Sequence, residues 1–143
     1  MAKARQHTAL SFLVALAAAA VAVLPANAGP ARSSKPSWRL MDYHQTACFS
    51  RNVTTSWYGV WIRGTWTHSI QVGAARLPGG GTYASEGSIP PGSSTGDYSL
   101  GYVRVDLRPD TPLGTYTARL WATDGSTKER VPITLEVESK CGY

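Results

Sequence analysis

Hydrophobic and polar positions alternate with a period of two along much of the chain after residue 37. In the stretch GTYTARLWAT, residues 114–123, one side of an extended strand carries Tyr116, Ala118, Leu120 and Ala122. The opposite side carries Thr115, Thr117, Arg119 and Trp121. Neighbouring side chains of a strand point to opposite faces, so this pattern predicts a strand with the first set buried.

The same alternation predicts further strands in the segments WRLMDY, QTACFS, SWYGVWIRGTW, HSIQVG, SLGYVRVDL and RVPITLEVE. In the third segment the predicted inward set is Tyr58, Val60 and Ile62, which leaves Trp57, Trp61 and Arg63 on the outward side. No segment after residue 37 has a sustained helical period. About seven short strands in roughly 100 residues predict one antiparallel, immunoglobulin-like β-sandwich over residues 38–143.

Two features qualify the strand pattern. Pro132 interrupts the last predicted strand, and because proline has no N–H it is expected at a strand start, a bulge or an edge. The segment Leu77–Asp97 contains six glycines and a Pro-Pro pair. So long a connection is either functional or contains a very short strand of its own. We expect it to be the most mobile internal segment.

The N-terminus has the pattern of a secretory signal peptide. Lys3 and Arg5 precede the apolar run ALSFLVALAAAAVAVLP, and an A-x-A site ends at Ala28. This predicts a cleaved signal peptide at residues 1–28 and a secreted protein. The apolar run is short for a membrane span, so an uncleaved anchor is disfavoured. Residues 29–37, GPARSSKPS, are polar and proline-broken and predict a disordered leader.

The net charge of the 143-residue chain is +5, with basic residues scattered singly along the sequence. Nothing in this distribution would follow a phosphate backbone, so nucleic acid is not an expected partner. A small exported domain of this kind is expected to be a monomer.

Cys48 and Cys141 are the two cysteines of the chain. In an oxidising compartment they are expected to form one disulfide, the alternative being two free buried thiols. Neither has a C-x-x-C partner or nearby histidines, so a metal site is not indicated, and no cofactor is expected.

The stretch VRVDLRPDTPLGTYTARLWATDGSTKERVPITLEVE resembles the last three strands of immunoglobulin-like domains that are appended to bacterial secreted glycosidases and proteases. The wider layout, with WRLMDYHQTACFS, IPPGSS and a closing CGY, resembles a family of small secreted actinobacterial proteins of unknown function. That resemblance implies export and a free-standing domain, and it implies no catalytic residues. In one departure from immunoglobulin domains, Cys141 lies beyond the last predicted strand.

Motifs that suggest catalysis have simpler explanations. GSSTG at residues 92–96 fits the nucleophile pattern G-x-S-x-G, but no strand-turn-helix is predicted there and no histidine follows His68. Asp42 and His44 share one side of a predicted strand but have no identifiable third partner. Glu86 and Asp97 could form the carboxylate pair of a glycosidase, but two acids on either side of a loop are expected by chance. The sequence therefore predicts a protein that is not an enzyme.

Five tryptophans are the most informative functional feature. Trp57, Trp61 and Trp121, interleaved with Arg63 and Arg119, are expected on the outward face of one sheet. Flat aromatic rings flanked by polar groups suit the apolar faces of sugar rings. The alternative is that Trp61 is a core residue and that Trp121 packs under the long glycine-rich segment.

These observations predict a secreted, non-enzymatic binding module for extracellular polysaccharide or cell-wall glycan. One alternative is a protein-binding module or protease inhibitor, with a secreted protein as its partner, that acts through Leu77–Asp97. A small secreted hydrolase is a further alternative. It is disfavoured because the chain has few acidic residues and histidines that could act in catalysis.

Overall fold

The computed structural model describes residues 37–93 and 97–142. The predicted signal peptide (1–28), most of the predicted leader (29–37) and part of the GSSTG motif lie outside these residues. Eight strands are present: β1 (Trp38–Leu40), β2 (Thr46–Phe49), β3 (Thr55–Gly64), β4 (Gln71–Ala75), β5 (Thr82–Ser85), β6 (Tyr98–Asp106), β7 (Gly114–Thr123) and β8 (Lys128–Val137). A 3-10 turn covers Pro78–Gly80. In this part of the chain no helix is long and apolar enough to cross a membrane.

The strands form two four-stranded sheets with the order β1-β3-β6-β5 and β2-β8-β7-β4. All pairs are antiparallel except β2 with β8. The chain changes sheet at every connection from β1 to β5, and again between β6 and β7. This strand order is that of an immunoglobulin-like sandwich, so the predicted fold class is confirmed.

β5 lies within the glycine-rich segment Leu77–Asp97, for which the sequence allowed a very short strand. All four of its residues are exposed, and it pairs with β6 at the edge of the first sheet. Its exposure explains why no alternation marks it in the sequence.

The core lies between the two sheets and contains the inward sets that the alternation predicts. Tyr58, Val60 and Ile62 are buried on β3, and Ala118, Leu120 and Ala122 are buried on β7. Tyr116 packs partly buried at the edge of this core. Its hydroxyl donates a hydrogen bond to the Pro112 carbonyl at 2.8 Å, the tyrosine corner by which such sandwiches fix the turn into this strand.

Pro132 lies inside β8 but before the pairing of β8 with β2 begins at Thr134. β8 is therefore an edge of its sheet at this point. Of the three positions expected for this proline, a strand start, a bulge or an edge, it occupies an edge.

Cys48 and Cys141 form the predicted disulfide, with their Cα atoms 5.8 Å apart. The bond joins β2 to the segment after β8. It closes a loop with a sequence separation of 93, which stabilises the fold by roughly 4–5 kcal/mol in the chain-entropy account.

Candidate functional site

The outward side of the first sheet carries a cluster of large apolar side chains, here named the aromatic face. It comprises Tyr43, Trp57, Trp61, Tyr98, Leu100 and Tyr102. Five of these six are exposed, by 54% for Tyr43, 49% for Trp57, 45% for Tyr98, 38% for Leu100 and 40% for Tyr102. Exposed apolar groups collected on one side of a small domain indicate an interaction surface.

Strand pairing between β3 and β6 brings these side chains together. Gly59 pairs with Tyr102 and Trp61 pairs with Leu100, while Trp57 pairs with Arg104 next to Tyr102. Directly opposite side chains in an antiparallel pair lie about 5 Å apart. The face is therefore continuous along both strands.

Trp61 lies along the strand over Gly59. A Cβ atom at position 59 would sit 2.3 Å from two carbons of the indole ring, so only a glycine leaves space for the ring here. The Tyr43 ring packs against Trp61 with centroids 4.8 Å apart and planes at 70°. Trp61 is consequently half-buried, whereas Trp57 projects into solvent.

Gln45 holds the connection between β1 and β2 against β3. Its side-chain amide donates to the Gly59 carbonyl at 2.8 Å, and its carbonyl oxygen accepts a hydrogen bond from the Gly59 amide at 2.8 Å. These two bonds satisfy the backbone of β3 at Gly59, beyond the point where its pairing with β1 ends. They also fix the segment that presents Tyr43.

Polar groups border the aromatic face at both ends. A guanidinium nitrogen of Arg63 lies 3.7 Å from the Asp97 carboxylate. At the other end Arg104 donates to Asp106 at 3.0 Å, and Thr55 donates to the same carboxylate at 2.6 Å. Arg63 and Arg104 thus each lie beside a carboxylate, and together these groups supply hydrogen-bond donors and acceptors beside the rings.

A shallow cavity of about 310 Å³ adjoins Leu100 and Tyr102 where the chain leaves β5. Residues 86–90 and Ser93 form its other wall. The Ser93 and Ser99 hydroxyls lie 3.0 Å apart, and Ser99 donates to the Ser93 carbonyl at 3.0 Å. The glycine-rich segment is in this way attached to β6 through the buried Ser99.

Trp121 and Arg119 lie on the other sheet, so the expectation that all three tryptophans share one surface is wrong. β3 pairs with β1 and β6, whereas β7 pairs with β4 and β8, because the connection after β6 carries the chain across the sandwich. Trp121 is half-buried and its ring contacts Tyr83 from the glycine-rich segment, with centroids 6.0 Å apart. The alternative interpretation, a tryptophan packed under that segment, describes Trp121 correctly.

The other two tryptophans belong to the core. Trp38 is buried and its indole N–H donates to the Asp124 carboxylate at 2.7 Å. Trp66 is buried and its N–H donates to the Pro90 carbonyl at 3.0 Å. The pKa of Asp124 is lowered, first by the backbone N–H of Thr127 and then by the Trp38 indole.

The two candidate catalytic pairs do not assemble into a larger cluster. Asp42 and His44 lie in the connection after β1, with the His44 ring nitrogen 3.8 Å from the carboxylate and both residues at the surface. Asp97 faces Arg63, and Glu86 is exposed at the end of β5. Among residues 37–93 and 97–142, no group of three or more potential metal ligands comes together.

Sequence analysis identified Trp57 and Trp61 of the aromatic face and Arg63 at its border, but missed the other four members: Tyr43, Tyr98, Leu100 and Tyr102. Tyr102 alternates with buried residues along β6 and therefore faces outward. Recognising it as part of the site required the pairing of β6 with β3, which a single strand's pattern does not contain.

Two solved structures show limited similarity to this chain. A Bacteroides ovatus GH5 xyloglucanase in complex with a XXXG heptasaccharide matches with 14% identity and a TM-score of 0.46 over 75% of this chain. The match spans 20% of the xyloglucanase chain. The ASH/PapD-like domain 7 of human CEP192 matches with 12% identity and a TM-score of 0.36, over 96% of this chain and 100% of that domain. No curated protein matches the sequence.

A family model matches residues 39–139, which span the sandwich from β1 to the segment after β8. The chain therefore belongs to DUF5980, a family of unknown function.

Proposed function

We propose that the protein is a secreted binding module without catalytic activity, and that its aromatic face binds an extracellular polysaccharide or cell-wall glycan. The observation that carries this proposal is the position of Trp57 and Tyr102, which are exposed on adjacent strands of a rigid sheet. Aromatic side chains in a fixed backbone lose little conformational entropy when a ligand covers them.

The shape of the surface favours an extended ligand. Trp57 and Trp61 are four residues apart on one strand, a distance of roughly 13 Å between backbone positions. The Trp61 ring lies over Gly59 and so covers the strand between the two positions with an apolar surface. A chain of sugar rings fits such a strip better than a compact small molecule does.

The polar border is consistent with a ligand rich in hydroxyl groups. Arg63 and Arg104 keep their guanidinium groups beside carboxylates, so each end of the face offers donors and acceptors close together. Hydroxyl groups can donate to the carboxylates and accept from the guanidinium groups. The cavity beside Leu100 and Tyr102 provides space for a branch or a chain end.

Secretion is supported by the predicted signal peptide and by the Cys48–Cys141 disulfide, which is compatible with an oxidising compartment. The alternative partner is a secreted protein that covers the same aromatic face and touches the adjacent residues 86–93. A glycan and a protein partner would both bind the same exposed rings. The two functions therefore differ in the ligand and not in the binding site.

The test is depletion of the protein from solution by insoluble cellulose, chitin and peptidoglycan. We expect retention on at least one of these, and we expect the variants Trp57→Ala and Tyr102→Ala to lose it. Leu113→Ala is the matched control, because Leu113 is 67% exposed in the turn before β7 and lies outside the aromatic face. Equal retention of all three variants, or no retention of the wild type, would contradict the proposal.

A further inference from the structure

The outward side of the second sheet carries a group of cations that are separated in the sequence. Arg119 on β7 pairs with Pro132, Trp121 pairs with Arg130, and Thr123 pairs with Lys128. All three cationic side chains are exposed. We name Arg119, Lys128 and Arg130, together with Trp121 between them, the basic patch.

Strand geometry places the three charges close together. Lys128 and Arg130 are two residues apart on the same side of β8, roughly 7 Å along the strand. Arg119 is a diagonal neighbour of Arg130, at about 7–8 Å between backbone positions. Arg130 thus lies within the screening length of about 8 Å in physiological salt from both Lys128 and Arg119, so its potential adds to that of each neighbour, whereas Arg119 and Lys128 are roughly 14 Å apart.

Trp121 positions one of these charges. Its ring lies over Gly73, where an added Cβ would be 2.4 Å from a ring carbon, and its indole N–H donates to the Ala74 carbonyl at 3.3 Å. The Lys128 ammonium sits 4.6 Å from the ring centroid on this fixed support. A cation held in this way needs little further ordering when an anion binds.

Nearby carboxylates are engaged elsewhere. Glu129 accepts a hydrogen bond from the Leu40 amide at 2.6 Å, and Asp124 accepts from the Trp38 indole and the amide of Thr127. Glu136 shares the outward side of β8 with Arg130, but it lies six residues away, roughly 20 Å along the strand. None of the ion pairs within the described part of the chain includes a cation of the basic patch.

We propose that the basic patch binds an acidic polysaccharide, whose carboxylate or sulfate groups pair with the three cations. Thr117 and Thr134 face each other on the same outward side next to Arg119, and their hydroxyl groups can bind sugar hydroxyls beside the charged groups. The patch is on the opposite side of the sandwich from the aromatic face. It therefore binds its ligand independently of the proposed function, and the protein can hold two chains at once.

The experiment measures binding of the protein to polygalacturonate and to dextran sulfate, with neutral dextran for comparison. We expect binding to the two polyanions only, and a strong decrease when the ionic strength is raised from about 0.05 to 0.2 M. The double variant Arg119→Gln/Arg130→Gln is expected to bind at least about fivefold more weakly. Arg51→Gln/Lys140→Gln removes the same net charge at exposed positions away from the patch and is expected to bind like the wild type.

Melting temperatures of both double variants report whether the fold is intact. If Arg119→Gln/Arg130→Gln does not fold, Lys128→Gln tests the basic patch in its place. Equal weakening by the two double variants would show that net charge alone drives binding, which would overturn the proposal. Binding of double-stranded DNA with the same affinity and the same dependence on Arg119 and Arg130 would assign the patch to nucleic acid instead. Loss of neutral-glycan retention in Trp57→Ala does not bear on these results, so the two sites are tested separately.

Discussion

Replacement of Gly59 by alanine is expected to destabilise the protein, and to do so only because Trp61 is present. The added Cβ would lie 2.3 Å from two carbons of the indole ring, whereas carbon atoms in contact are about 3.5–4.0 Å apart. The ring must therefore move outward by more than about 1 Å. It can do so, but it then loses its contact with the strand and its packing against Tyr43.

The magnitude follows from two opposing effects. Overpacking of this kind costs about 1–3 kcal/mol, while alanine in place of glycine in a strand stabilises by about 0.5–1 kcal/mol. Taking the middle of each range, Gly59→Ala should therefore lower the free energy of unfolding by about 1 kcal/mol. In a Trp61→Ala background the clash is absent, so the same substitution should raise the free energy of unfolding by about 0.5–1 kcal/mol.

The assay is urea unfolding of the wild type, both single variants and the double variant, followed by far-ultraviolet circular dichroism because Trp61→Ala alters the fluorescence. The double-mutant cycle isolates the interaction between the two positions. An effect of Gly59→Ala with the same sign and size in both backgrounds would refute the packing of the indole ring over Gly59.

Three further outcomes are expected. Replacement of Cys48 and Cys141 by serine should lower the free energy of unfolding by about 2–5 kcal/mol, measured by urea unfolding, and an effect near zero would contradict a stabilising role for the bond. Asp124 has a lowered pKa in the folded protein, so it stabilises the fold above its unfolded pKa of about 4 and loses this effect on acidification. The difference in unfolding free energy between wild type and Asp124→Asn should accordingly shrink below about pH 4, and a pH-independent difference would count against the hydrogen bonds to Asp124. N-terminal sequencing of the secreted protein should begin at Gly29, and an intact Met1 would exclude signal-peptide cleavage.

Local alternation was sufficient to predict which face of each long strand is buried. Leu120 on β7 and Val60 on β3 are fully buried, while Trp57 is exposed, as their positions in the pattern indicate. This succeeds because a half-buried strand must separate apolar from polar side chains along its own length. β5 has no buried side, so the sequence held no comparable signal for it.

Pairing between strands could not be read from the same pattern. Trp121 has the expected outward phase but lies on the opposite sheet from Trp57, because the chain crosses the sandwich between β6 and β7. Arg119 and Arg130 become neighbours only through the register of β7 with β8, although each looks isolated in the sequence. The positions of both candidate sites are thus consequences of topology and register, which act between distant segments.

The most direct test of the glycan-binding proposal uses the five indole N–H signals in a nitrogen-15 correlation spectrum. The protein is titrated with a soluble oligomer of whichever insoluble polysaccharide retains it, such as cellohexaose or chitohexaose. The account predicts that the Trp57 and Trp61 signals shift in a saturable way while those of the buried Trp38 and Trp66 stay in place. Shifts confined to Trp121, or saturated binding that leaves Trp57 unchanged, would contradict binding at the aromatic face.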